Sequence, residues 1–136
     1  MANKENCYRL AAMIEVAEKA PDDYYDSGDG FNMSNFANKC GTPRCIGGWA
    51  AWEALGRPAG NLYDVVNRLH TDMEREARIW LDIDISIGSR LFYPDFKPLS
   101  LITTEEAARV LRELGDTGEL PDWWRAEGGD IDVVSD

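Results

Sequence analysis

The side chains in this chain best suited to chemistry are three cysteines and one histidine: Cys7, Cys40, Cys45 and His70. A structural zinc site takes four such ligands, usually in pairs two residues apart. Here Cys40 and Cys45 are separated by four residues and His70 is the sole imidazole. A four-ligand site would have to recruit Cys7 and His70 from two distant segments. The spacing favours cysteines buried as small apolar side chains, so neither a metal nor another cofactor is expected. Cysteine catalysis meets a similar obstacle. Cys45 stands where a helix begins, and a helix N-terminus lowers a thiol pKa, but a nucleophile also needs a base and His70 is the only imidazole available. The run CGTPRC matches neither a papain-type nor a redox cysteine. An enzyme working through Cys45 is therefore the weaker alternative, and the chain reads as a non-enzyme.

Carboxylates are abundant but not arranged as a calcium loop. An EF-hand needs oxygen ligands at positions one, three and five, glycine at six and glutamate at twelve. With Gly28 sixth, Tyr25 falls third and Ser34 twelfth; starting from Asp82, Ile87 stands where glycine belongs. Phosphate-binding glycine loops and a serine-nucleophile elbow are absent too.

Charge is the strongest global signal. The 136 residues hold 25 acidic and 14 basic side chains, a net charge of −11. Such a surface repels nucleic acid and anionic membranes and attracts a basic partner, a nucleic-acid-binding groove included. The acidic excess concentrates in a run carrying Asp22, Asp23, Asp26 and Asp29, in the last helix, and after Glu127. The adjacent Trp123 and Trp124 are a second candidate contact, since tryptophan is enriched at interface hot spots. The opening MANKENCYRLAAMIEVAEKA is broken by Arg9, Glu15, Glu18 and Lys19 and does not read as a signal peptide. A cytoplasmic location is expected.

The elements that must position these residues are helical. From about 4 to 20, Cys7, Leu10, Ala11, Ile14 and Ala17 form one apolar stripe, with Glu15 and Lys19 paired outside and Pro21 as the stop. A long connection follows, expected to be pinned by Phe31, Met33 and Phe36. Cys45 to Gly56 carries one charge, Glu53, and predicts a buried central helix with Trp49 and Trp52 inside. A third helix near 61–70 presents Leu62, Val65, Val66 and Leu69 inward and pairs Asp64 with Arg68. A fourth starts at a Thr71–Glu74 capping box and buries Met73, Ala77, Trp80 and Leu81. Residues 82–102 suit either a short strand or, preferably, a short helix. The last helix opens on a Thr103–Glu106 capping box, buries Ala107, Val110, Leu111 and Leu114, pairs Glu105 with Arg109, and ends at Gly115 or Gly118. Leu120, Trp123 and Trp124 then fold back as an apolar clasp. The expected fold is all-α: one compact domain over 1–126, about five helices around the central one, then a flexible acidic tail over 127–136.

Three blocks carry a resemblance: Cys40, Gly41, Thr42, Cys45, Ile46, Gly48 and Trp49 within CGTPRCIGGWA; LFYP; and ITTEEAARVLREL, which runs on to Thr-Gly and a tryptophan. Together they resemble a family of small uncharacterised proteins of phages, prophages and bacteria, with Gly47 where that family has alanine. The resemblance implies a phage setting and assigns no catalytic residue. In that setting, small acidic proteins often inhibit a host protein, anti-CRISPR proteins among them. The expectation is a phage-type binding protein that inhibits a host defence or nucleic-acid-handling protein by protein–protein contact in the host cytosol. The rival is a structural or housekeeping phage protein with a hydrophobic interface.

Overall fold

The computed structural model describes residues 2–17, 31, 33, 45–94 and 96–124. Within them lie six α-helices, a single 3-10 turn and no extended strand. The all-α expectation holds, with one helix more than expected. Asp22, Asp23, Asp26, Asp29, Phe36, Cys40, Gly41, Thr42 and the tail over 127–136 fall outside the described residues. Phe31 and Met33 are described, and both are buried.

α1 spans Lys4–Val16, with the Asn3 side chain capping the Asn6 amide at 3.0 Å. Cys7, Leu10, Ala11 and Ile14 form its buried stripe. The helix is shorter than expected because the stripe gives out: Val16 is 84% exposed, and the Ala17 amide closes the last turn on the Ile14 carbonyl at 3.0 Å. Its partner is α6, Thr104–Thr117, whose start carries the expected capping box. Ala107, Ala108, Val110, Leu111, Leu114 and Gly115 are buried there. Gly115 is not the helix stop. A Cβ at that position would meet the Cys7 Cβ at 3.1 Å and the Lys4 Cα at 3.4 Å, so its lack of a side chain lets α1 and α6 approach closely. Gly118, at φ 80°, ends the helix in the left-handed conformation that glycine adopts without strain.

α2, Ile46–Ala54, packs against α4, Met73–Leu81. Gly47, Gly48, Ala50 and Ala51 are the buried residues that let α2 sit deep. Small residues in the contact leave no room for indoles, so Trp49, Trp52 and Trp80 are half-buried at its margins, not fully inside as the periodicity suggests. Trp49 and Trp52 meet edge to face at 5.7 Å. α3, Leu62–Arg68, buries Leu62, Val65 and Val66, while Leu69 caps the helix and is 58% exposed. His70 follows at φ 56° and is exposed.

α4 starts one residue later than the sequence suggests. Asp72 caps the Arg75 amide at 2.8 Å, while the Thr71 hydroxyl donates to Glu76 Oε2 at 2.9 Å. An aspartate beside a threonine caps at least as well, which moves the boundary. The ambiguous stretch becomes α5, Ile85–Phe92, capped by Asp84, with the 3-10 turn at Leu99–Leu101. Asp82 and Asp84 are thus helix caps. Trp124 is buried, and its indole N–H donates to the carbonyls of Arg90 and Leu91 at 3.1 and 3.3 Å. With Phe96 and the half-buried Trp123 it forms the clasp over α5 and α6.

Candidate binding cleft

No group of three or more His, Cys, Asp or Glu side chains among the described residues could hold a metal ion. Cys7 is buried in the α1–α6 seam, and burial pushes its thiol up to about 11. Cys45 is 2% exposed and caps α2, its sulfur accepting the Gly48 amide at 3.4 Å. Desolvation pushes the Cys45 thiol up to about 12 and outweighs the amides of Gly47 and Gly48, which pull the other way. The expected helix-terminus activation therefore loses to burial, and at neutral pH this thiol is a poor nucleophile.

Cys45 instead lies on the floor of a cleft of about 680 Å³ between α3, α4 and α5. Met33, Met73 and Phe92, all buried, complete the floor. Tyr63 and Tyr93 stand at the rim, 36% and 47% exposed, with Asp72 and Glu74 beside them. The Tyr93 hydroxyl donates to Glu74 Oε1 at 3.3 Å. Desolvation, reinforced by the negative charge of Glu74, pushes the Tyr93 phenol up to about 12. Among the described residues that line the cleft there is no Lys, Arg or His.

Elsewhere five acidic side chains on the helices, Glu15, Glu53, Glu106, Glu113 and Asp116, are neutralised within the fold. Glu15 takes both ends of the Arg112 guanidinium at 2.8 Å, Asp116 takes Lys4 at 3.3 Å, and Glu106 takes Lys97 at 2.8 Å. Glu53, almost buried, lies between Arg9 and Arg57. Arg109 bonds Glu113 at 2.9 Å, not Glu105. The reason is tertiary: Arg109 lies over the Trp123 ring at 4.6 Å, and the Trp123 indole N–H itself donates to Glu113 at 3.1 Å. The expected Asp64–Arg68 pair does not close, in keeping with the small gain from an exposed pair. Asp72 and Glu74 have no cation among the described residues.

Of the candidate contacts, Trp124 is 3% exposed and belongs to the core, while Trp123 is the half-exposed member of the pair. The cleft is the feature that periodicity could not show, because its walls come from three helices. Its sequence signal was the tyrosine of LFYP beside the acidic start of α4. No family model, curated protein or solved structure matches the chain. No helix among the described residues is long and apolar enough to cross a membrane.

Proposed function

We propose that this chain is an acidic binding protein that acts on a host protein with a basic, nucleic-acid-binding surface, as a phage-type inhibitor of a defence or nucleic-acid-handling protein. The carrying observation is where the unpaired negative charge remains. Ion pairs hold Glu15, Glu53, Glu106, Glu113 and Asp116, whereas Asp72 and Glu74, which line a cleft, and Glu5, Asp64, Glu76 and Glu105 meet no cation among the described residues. The runs with Asp22, Asp23, Asp26 and Asp29 and after Glu127 add more acid than base. Such an excess steers encounter with a basic patch. The phage setting rests on the sequence resemblance, and the buried, protonated Cys45 lends no support to an enzyme.

The test is affinity purification from the host at low and high salt, read by mass spectrometry, followed by binding kinetics with the purified partner. The expected partner is a basic defence or nucleic-acid-handling protein whose association slows steeply with salt. Reversing Asp22, Asp23 and Asp26 to Lys should weaken it without unfolding the domain. Recovery of virion components alone, with salt-independent binding, would favour a structural protein and sink this reading.

A further inference from the structure

We propose that the outer face of α4 and α5 is a contact between two copies of this chain, related by a two-fold axis. This contact goes beyond the acidic-binder reading and does not depend on it. Positions three and four apart share one face of a helix. On α4 that spacing groups Arg75, Arg78, Ile79 and the C-cap Asp82, away from the buried Met73, Ala77 and Leu81. On α5 it sets Ile85 beside Gly88. The two helices meet through Arg78, whose stem crosses Gly88 so closely that a Cβ there would stand 2.6 Å from Arg78 Cδ. Ile79 and Ile85, 60% and 64% exposed, therefore flank the Arg78 side chain on one surface.

Charge selects the occupant. Arg78 has no ion pair among the described residues, and its Nε is buried without an acceptor. Asp82, exposed and four residues on, has no cation there either. The two do not close on each other: arginine before aspartate is the weaker order on a helix, and Asp82 leaves the helix at φ 59°. Under a two-fold axis Arg78 of one copy faces Asp82 of the other, and the pair forms twice, as a self-complementary contact requires. Ile79 and Ile85 then leave water around those pairs, which supplies the driving force. A wholly acidic or wholly basic partner would satisfy one of the two charges and oppose the other. Two chains at −11 repel, but residues 75–90 hold three basic and three acidic side chains and are neutral. Physiological salt screens exposed charges separated by more than about 8 Å.

The experiment is sedimentation equilibrium of the full chain in physiological salt. A face this small makes a weak dimer, so the average mass should climb from 15.3 kDa at about 10 μM toward twice that value at about 1 mM. Arg78→Glu and Asp82→Lys each set like charges against one another, and each should stay monomeric alone. Mixed in equal amounts they present opposite charges at both pairs, and association should return. Ile85→Ser, at an exposed position, should leave the melting temperature unchanged and weaken self-association at least about tenfold, because every dimer loses two apolar contacts. That variant carries the test if either charge reversal fails to fold. A constant mass of 15.3 kDa across the range, association that Ile85→Ser leaves untouched, or a mixture of the two folded charge variants that stays monomeric would overturn the proposal. So would a lower melting temperature for Ile85→Ser in a chain that is monomeric throughout, which would mean that another segment of the same chain covers the face.

Discussion

Along the α1–α6 seam Glu15 and Asp116 are held by cations of the same fold, whereas at the α3–α4–α5 cleft Asp72 and Glu74 meet no cation among the described residues. Both regions contain helices of mixed charge. They differ in their neighbours: α6 lies against α1, so Arg112 reaches Glu15 and Lys4 reaches Asp116, while Asp72 and Glu74 begin a helix at the edge of a cavity. A net charge of −11 is therefore a poor measure of what a partner meets. The relevant quantity is the charge left after internal pairing.

Breaking the seam should have the largest effect. Leu111 is fully buried in α6, and Leu111→Ala should cost about 3–5 kcal/mol, read by urea denaturation. A loss below about 1 kcal/mol would mean the two helices do not share a core. Gly115→Val is the sharper probe of close approach. Its added atoms must displace Cys7 or the Lys4 backbone, at about 2–3 kcal/mol. Because the Glu74 side chain is no part of the hydrophobic core, Glu74→Gln should leave urea stability within about 0.5 kcal/mol, the opposite of the seam variants.

The titrations separate the two regions further. Two bonds from Arg112 hold the Glu15 carboxyl below the usual carboxylate range. A depressed folded pKa gives stability that is present above the unfolded value, about 4.3, and is lost as pH falls through the folded value. Stability should drop below about pH 4, and Glu15→Gln should flatten part of that limb. The Cys45 thiol has the opposite sign. Raised from 9.0 to about 12, it contributes stability below its ordinary pKa that disappears as pH rises toward 12. Cys45→Ala should make the alkaline limb shallower. Native Cys45 should also react with iodoacetamide far more slowly than the unfolded chain, and fast stoichiometric labelling would contradict its burial.

Several elements could be read from residue order because they depend on neighbours three or four positions apart. The stripe of α1, the capping box of α6, the glycine stop at Gly118 and the helical class of the fold are all of this kind. Boundaries were less legible. Thr71 and Asp72 compete for one cap, and α1 ends where its buried stripe ends and not at Pro21. The depth of an aromatic side chain was not legible at all. Trp49, Trp52 and Trp80 have helical spacing, yet the glycine and alanine contact of α2 with α4 pushes them to the margin, while Trp124, beyond any helix, is buried.

Local periodicity and composition by themselves determined that the chain is helical, that it carries a strong acidic excess, and that its cysteines lack a nearby base. Only the tertiary structure decided which charges cancel, because ion-pair partners such as Glu15 and Arg112 are 97 residues apart. It also decided that Cys45 is a protonated cap, since desolvation by surrounding helices outweighs the local amide dipoles. The cleft belongs to the same class: Tyr63, Glu74 and Tyr93 share a wall only after three short helices have packed.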